Sequence, residues 1–315
     1  MAVSGSFNYD RTGAQIIAAA LRKLQVLAEG QSATTNQETT GLEALNLLLK
    51  AWQSKGMPLW QLRDVYVYPI HDTNSILLGP SGGHASTELI RGTLTADAAA
   101  AATSLSVDTD EGTTANSDAI GIELDSGNIF WTTISSGGGT STLTIASGLT
   151  TAAASGNRFY AYTAKAQRPV KIIEGWIVGS TSQNRRPLRV VAESELKNTG
   201  NLTTESEIIN ISYRPLLTDG QLQFWPRFQD GAQYLELRAQ YGYDDMDATT
   251  DTLAFPQTFL LAIVYNLANL LAPEYGYPME SRMALKGEAG QFMTDAFDSI
   301  AEMTSIRILP QMEMQ

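Results

Sequence analysis

Hydrophobic residues recur at helical spacing only near the two ends of the chain. At the start, a helix is predicted to begin after Thr12, with one apolar face formed by Ile16, Ile17, Ala20, Leu21 and Leu24. A second predicted helix opens with the capping-box pattern Thr35-x-x-Glu38 and ends at Gly56, before Pro58. Its apolar stripe consists of Leu42, Leu45, Leu49 and Trp52. Because helices this short are marginal alone, both need tertiary partners.

Two further helices are predicted near the end of the chain. Pro256 suits the first turn of a helix that ends at Ala272-Pro273 and whose apolar face contains Phe259, Leu260, Ile263, Val264, Leu267 and Leu271. A fourth helix, from about 278 to 303, has its large apolar residues at Met283, Phe292, Met293, Phe297 and Ile300. The most economical arrangement joins residues 1–60 and 254–315 in one discontinuous helical-bundle domain, with the rest of the chain inserted into it.

The middle of the chain has the pattern of β-strands. Alternation and turn residues predict strands at 65–70, 76–78, 188–191, 208–213, 222–225 and 234–237. We therefore predict an α+β fold whose inserted all-β portion consists of antiparallel strands in a sandwich or barrel-like arrangement. Residues 61–91 and 166–253 form its β-rich domain.

A separate module is predicted at residues 92–165, where Ala, Thr, Ser and Gly dominate. Short strands are expected there at 104–107, 119–124, 130–134, 143–145 and 158–162. This small all-β module is acidic, because only Arg158 and Lys165 oppose Asp97, Asp108, Asp110, Glu111, Asp118, Glu123 and Asp125.

The amino-acid composition excludes several classes of function. With 33 acidic and 21 basic residues the net charge is -12, which argues against a surface that binds nucleic acid by general phosphate neutralisation. The chain has no cysteine and only two histidines, which excludes thiolate sites and histidine-rich zinc sites. The most apolar run, 259–272, is shorter than the roughly 20 residues of a membrane span and predicts a buried helix. The opening residues lack the pattern of a secretory signal.

The two ends of the chain also have recognisable segments. The helix pair AALRKLQVLAEG (19–30) and GLEALNLLLKAWQSKGM (41–57), and the closing FPQTFLLAIVYNLANLLAPEYG (255–276), resemble the head-to-tail adaptors of short-tailed bacteriophages, the tail accessory and tubular tail proteins. The segments RPVKIIEGWI, LRVVAESEL and LQFWP resemble the β-rich portion of the longer members. The resemblance lies in the order of packing and turn motifs, and the module at 92–165 departs from the compact adaptors.

This resemblance implies a non-enzymatic structural protein of the virion neck, assembled in the host cytoplasm. It implies a dodecameric ring that binds the portal protein through the helical domain, faces the tail nozzle protein with its β-rich domain, and lets double-stranded DNA pass through its lumen. It also implies that the C-terminal segment reaches along the portal, with Ile306, Ile308, Leu309 and Met312 as apolar anchors. Alternatively, these residues fold back onto the helical domain.

Several local patterns suggest chemistry, but each has a simpler interpretation. His84 follows a serine in Gly79-Pro-Ser-Gly-Gly-His84, and a surface turn explains it better than a nucleophile and its base. The glycines at 137–139 lack the Lys-Ser/Thr of a phosphate loop and indicate a hairpin turn. Asp108-x-Asp110-Glu111-Gly112 lacks the later ligands of a calcium loop. The acidic run at 244–247 is typical of a solvated loop.

Two groups of charged residues are also candidates for a functional site. Glu193 and Glu195 can be nominated as paired carboxylates for sugar hydrolysis, but nothing distinguishes them from other acidic pairs, so no catalytic, cofactor or metal residue is predicted. Arg185, Arg186 and Arg189 form the densest basic cluster and are predicted to make inter-subunit salt bridges or to face DNA in the lumen. The alternative functions are a peptidoglycan-degrading tail enzyme and a carbohydrate-binding tail module that uses exposed Tyr and Trp side chains.

Overall fold

A computed structural model of the protein describes residues 9–53, 61–71, 73–179, 185–229 and 231–299. The chain divides into two compact units. The helical unit combines both ends, Met1–Gln61 and Gly242–Gln315, and the β-rich unit is the middle of the chain, Leu62–Tyr241. The predicted α+β class with an all-β portion is confirmed.

Five helices are found in the described residues. They are α1 (Gly13–Lys23), α2 (Thr35–Gln53), α3 (Glu193–Lys197), α4 (Gln257–Leu271) and α5 (Met279–Asp298). Only α3, a single turn that the sequence analysis did not predict, belongs to the β-rich unit. Gly56, the predicted end of the second helix, and Ile300, on the predicted fourth helix, lie outside the described residues.

The first two helices begin with capping boxes. Thr12 caps α1 as predicted: its hydroxyl accepts from the Gln15 backbone N–H, and its own backbone N–H donates to the Gln15 side-chain oxygen. The predicted box at Thr35 and Glu38 is wrong by one residue. The backbone N–H of Gln37 donates to the Thr34 hydroxyl, and that of Thr34 donates to the Gln37 side chain at 2.9 Å. Thr34 directly precedes α2, so the third residue of the helix is Gln37. The Gln37 side chain completes the same type of capping box.

Side chains from both ends of the chain share the helical core. Ile16, Leu45 and Leu267 are fully buried in one cluster. Trp52 packs edge-on against Phe259 of α4 and Phe297 of α5, with centroid distances of 6.5 and 6.2 Å. Helix α5 follows its predicted pattern in part. Phe292, Met293 and Phe297 pack against the core, but Met283 is 69% exposed. The buried positions are Leu285, Ala289 and Ala296.

Residues 242–253 group with the helices, although the sequence analysis placed them with the strands. Met246 is buried in the helical core, and its backbone exchanges two hydrogen bonds of 3.0 Å with the Asn46 side chain on α2. Lys50, also on α2, donates to the Tyr243 carbonyl and pairs with Asp245 at 2.6 Å. These contacts with α2 explain why residues 242–253 group with the helical unit.

The β-rich unit contains two sheets and a closed barrel. The five-stranded sheet has the order β11 (Arg185–Pro187), β10 (Lys171–Val178), β15 (Tyr234–Gln240), β1 (Leu62–Val67) and β3 (Ala85–Ser86). The four-stranded sheet has the order β12 (Arg189–Val190), β13 (Asn210–Pro215), β14 (Gly220–Trp225) and β2 (Ser75–Leu78). The barrel has the order β4 (Ile90–Leu94), β5 (Ser104–Glu111), β8 (Thr142–Ile145), β7 (Ile129–Ser136), β6 (Ala119–Glu123) and β9 (Arg158–Tyr162).

The two sheets share a core that includes Val65, Leu222, Phe224 and Leu237, so they form a sandwich. The prediction of antiparallel strands is wrong for one pair. Strand β12 runs parallel to β13, with Arg189 opposite Asn210. A parallel pair needs a crossover connection, and the segment that contains α3 supplies it.

The barrel has its own core, which includes Ile120, Leu143 and Phe159. Its first strand, β4, starts before the predicted module boundary at residue 92. Gly92 in the middle of β4 allows a close approach, because a Cβ atom there would lie 2.0 Å from the Asp108 carbonyl oxygen. This glycine also shortens the apolar pattern, which explains why the sequence did not predict the strand.

Candidate functional site

One face of the five-stranded sheet is polar and aromatic. Alternate residues of β15, including Leu235 and Leu237, point into the sandwich core, so Tyr234 and Glu236 lie on the opposite face. Tyr66 on β1 is directly opposite Glu236, and Val178 on β10 is directly opposite Tyr234. This register places two phenols and one carboxyl group side by side.

Strands from the barrel and the sheet edge complete a cleft of about 370 Å³ over this face. We call it the arginine–glutamate cleft, and its lining residues are Tyr66, Leu89, Arg91, Glu111, Val178, Arg185, Tyr234 and Glu236. The volume falls within the roughly 300–1,000 Å³ of small-molecule sites.

Two ion pairs lie in the cleft. Arg185 on edge strand β11 pairs with Glu236, whose side chain is only 5% exposed. Arg91 on β4 lies with its Nε atom 3.2 Å from Oε2 of Glu111, its cross-strand neighbour on β5. Burial raises the pKa of Glu236 above its usual value even though Arg185 lowers it. Burial, with a smaller effect of Glu236, also raises the pKa of Tyr66 to about 12, which keeps this phenol protonated at neutral pH.

A buried aromatic cluster joins the barrel to the same sheet. Tyr68 follows β1 and packs against Tyr160 and Tyr162 of β9, with centroid distances of 5.4 and 5.8 Å. Tyr160 also contacts Tyr234 at 5.9 Å, so the cluster extends to the arginine–glutamate cleft. The Tyr68 hydroxyl donates to the Glu88 carbonyl at 2.8 Å.

His84 belongs to this aromatic cluster. Its imidazole stacks on the Trp131 indole with a centroid distance of 3.7 Å, and its Nδ1 shares a hydrogen bond of 2.9 Å with the Tyr162 hydroxyl. Gly121 permits this position of Trp131, because a Cβ atom there would lie 2.7 Å from the indole. Burial, assisted by the charge of Lys165, lowers the pKa of His84 to about 4. The imidazole is therefore neutral at physiological pH.

The three arginines of the basic cluster predicted from sequence pair with three different glutamates. Arg185 pairs with Glu236 in the cleft, Arg186 pairs with Glu207, and the Arg189 guanidinium lies 3.4 Å from Glu195. Arg186 and Arg189 have side chains 65% and 70% exposed. Both remain open to a further partner, whereas Arg185 already belongs to the cleft.

The carboxylates nominated for sugar hydrolysis have cationic neighbours. Glu193 accepts a hydrogen bond from Lys197 at 2.7 Å and lies 3.5 Å from Arg214, and the Lys197 bond is the main reason that its pKa is lowered. A general acid in glycoside hydrolysis needs a raised pKa. The environment of Glu193 has the opposite effect.

The remaining sequence candidates have structural positions. Gly137–Gly139 lie in the turn between β7 and β8, where the N–H groups of Gly138 and Gly139 donate to Asn116 and Thr114 side chains at 2.9 and 3.1 Å. Asp108, Asp110 and Glu111 lie along β5 instead of in a loop. Asp245 is held by Lys50.

The predicted anchors Ile306, Ile308, Leu309 and Met312 lie outside the described residues. Over the described ranges, no group of three or more acidic or histidine side chains could hold a metal ion. No helix in that part of the chain is long and apolar enough to cross a membrane.

Sequence reasoning missed most of the cleft. Arg185 was noticed because basic residues are dense around it, and Glu111 because it lies in an acidic run. Arg91 and Glu236 carried no such signal, since each is an isolated charge in a strand. Only the alternation of Tyr234 and Glu236 with buried leucines could have indicated that they share a face.

Comparison with known proteins adds no family assignment. No protein-family model matches the chain, and no curated protein does so either.

Proposed function

We propose that the protein is a head-to-tail adaptor of a short-tailed bacteriophage, a non-enzymatic virion protein of the neck. The observation that carries the proposal is the order of the adaptor-like segments: a helix pair, a β-rich middle and a proline-started closing helix. The grouping of both chain ends into one helical unit is consistent with an adaptor whose β-rich portion is an insertion. By resemblance, twelve copies form a ring between the portal protein and the tail nozzle protein.

In this proposal the helical unit is a bundle that docks on the portal. Its surface supports such a role, because several apolar side chains on α2, α4 and α5 are exposed: Leu47, Leu261, Leu270, Met279 and Met283. We propose that some of these side chains contact the portal, since contiguous exposed apolar patches mark interaction surfaces. Ile306, Ile308, Leu309 and Met312 are proposed as additional anchors that insert between portal subunits.

The β-rich unit is proposed to face the nozzle and to contribute to contacts within the ring. Arg186 and Arg189 are suited to bridging an acidic neighbouring copy, because both side chains are mostly exposed. Exposed ion pairs add little stability but help to set orientation and register. The net charge of -12 suits a lumen through which double-stranded DNA slides without sticking.

Sedimentation of the protein with and without portal rings from the same phage tests the proposal. The isolated protein should sediment as a monomer at micromolar concentration, because a preformed ring supplies many adjacent sites at high effective concentration. Mixing should give one discrete complex, and electron microscopy should show an added ring beneath the portal. The adaptor assignment is rejected if the protein neither binds portal rings nor occurs in purified virions.

A further inference from the structure

The arginine–glutamate cleft has no role in the proposed adaptor function, yet its construction is that of a ligand site. Its residues come from six strands: Tyr66 on β1, Arg91 on β4, Glu111 on β5, Val178 on β10, Arg185 on β11 and Tyr234 on β15. Ordinary packing would fill such a junction with apolar side chains, as it does in the barrel and sandwich cores. Here the junction retains an open volume of about 370 Å³ with four charged groups on its wall.

The charges of the cleft balance. Arg91 and Arg185 oppose Glu111 and Glu236, one guanidinium to each carboxylate. An anionic ligand that displaced Glu236 from Arg185 would leave a carboxylate with only 5% of its side chain exposed without a partner, which is unfavourable. A cationic ligand that displaced Arg185 would take its place beside Glu236, so its gain would be offset by the loss of the existing ion pair. A neutral ligand avoids this cost.

Hydrogen-bonding capacity in the cleft exceeds what the ion pairs use. A guanidinium has five N–H donors and a carboxylate has about four acceptor positions. The Arg91 Nε atom is buried 3.2 Å from Glu111 Oε2, but among the described residues it makes no well-aligned hydrogen bond. The protonated phenol of Tyr66 adds a group that both donates and accepts. A ligand that carries several hydroxyl groups can use donors and acceptors of this kind at once.

Apolar side chains form the rest of the cleft wall. The rings of Tyr66 and Tyr234 meet edge to face at 6.2 Å, and Leu89 and Val178 lie beside them. Tyrosine offers a rigid apolar face and a polar tip. A pyranose ring has the matching character, since its C–H groups form an apolar face and its hydroxyls form a polar rim.

We propose that the arginine–glutamate cleft binds a neutral saccharide. Arg91, Arg185, the two glutamates and the Tyr66 hydroxyl bond its hydroxyls, and the Tyr66 ring contacts its apolar face. The site would act by binding alone. This inference does not depend on the adaptor role, and portal binding is not a readout of it.

Ligand-observed NMR and calorimetry on the full chain test the site, with maltose and N,N′-diacetylchitobiose as separate probes. At least one probe should bind with a dissociation constant in the millimolar range. Arg185→Gln should weaken binding by about tenfold or more, because a charge-assisted hydrogen bond is lost. The matched control is Arg189→Gln, an exposed arginine of the same segment outside the cleft, which should leave affinity unchanged.

A second variant guards against misfolding. Tyr66→Phe retains the ring and removes only the hydroxyl, so it should keep the far-ultraviolet circular dichroism spectrum while weakening binding several-fold. Three results would each overturn the proposal: neither probe binds up to about 50 mM, a concentration that detects even very weak sites; binding is equal in Arg185→Gln and Arg189→Gln; or inorganic phosphate binds in an Arg185-dependent manner while both saccharides fail to bind.

Discussion

Leu45 and Leu267 provide the sharpest test of the discontinuous helical unit. They come from opposite ends of the chain, on α2 and α4, and both are 0% exposed in the same core. Leu→Ala at such a site loses the transfer free energy of the side chain and leaves a cavity, which costs about 2 to 5 kcal/mol. We expect each variant to lower the free energy of unfolding of the whole helical unit by that amount.

The same helices supply matched controls. Leu47 lies two residues from Leu45 on α2 and is 69% exposed, and Leu270 lies three residues from Leu267 on α4 and is 44% exposed. Leu47→Ala should change stability by no more than about 0.5 kcal/mol, and Leu270→Ala by about 1 kcal/mol or less. Because the chemical change and the helix are the same, the contrast isolates burial from helix propensity.

Hydrogen exchange measured by mass spectrometry is the suitable assay. The slowest amides of a cooperative unit exchange through its global opening and report its free energy of unfolding. Leu45→Ala should therefore accelerate exchange in α4 peptides as much as in α2 peptides, and Leu267→Ala should do the same. If each substitution accelerates exchange only in its own helix, the two ends do not share one cooperative core and the reasoning fails.

Three further outcomes are expected. Because the pKa of His84 lies near 4 when folded and 6.5 when unfolded, stability should be full above pH 6.5 and fall by about 1 to 2 kcal/mol towards pH 4, after allowance for solvent screening; urea titrations should lose this slope in His84→Gln. Gly79→Ala should cost more than about 2 kcal/mol in thermal unfolding, because its Cβ would lie 2.1 Å from the Asp219 Oδ1 atom and 3.0 Å from the Asp219 Cα atom, whereas Gly127→Ala meets no atom within 4 Å and should cost about 1 kcal/mol; equal effects would contradict the steric argument. Truncation after Met303 should barely change the thermal midpoint while abolishing portal binding; a large drop with binding intact would place the tail in the core.

The sequence predicted the elements whose signal is local. The faces of α1 and α4 follow from apolar residues three and four apart, and the barrel strand Arg158–Tyr162 was predicted with its observed bounds. Strand β10 was not predicted as an element from its residues, although it is an interior strand of the five-stranded sheet, between β11 and β15. Its run Lys171–Val178 is interrupted by Glu174 and Gly175, which obscure the alternation. Its longer partner in the sheet, β15, lies far along the sequence, so local patterns do not show the pairing.

The arginine–glutamate cleft could not be predicted from local sequence patterns, for a similar reason. Arg91 and Glu111 are 20 positions apart, and Arg185 and Glu236 are 51 apart. Nothing in either neighbourhood marks one acidic residue among 33 as the partner. Cross-strand register is what brings them together, and register depends on the sheet as a whole. By contrast, Arg189 and Glu195 are six residues apart, and both were singled out from sequence.

The position of the barrel in the chain explains why the cleft exists. The barrel strands follow β3 and precede β10, so both connections leave from the five-stranded sheet. Tyr160 and Tyr162 then pack on Tyr68 in a cluster with hydroxyl groups, which suits a junction between two separate cores better than a continuous apolar interface would. Arg91 and Glu111 stand on β4 and β5, beside the polar face of β15. The barrel is thus an insertion with its own core, attached to one sheet at two points. Neither core needs the polar residues at this junction for packing. We propose that these residues contact a ligand.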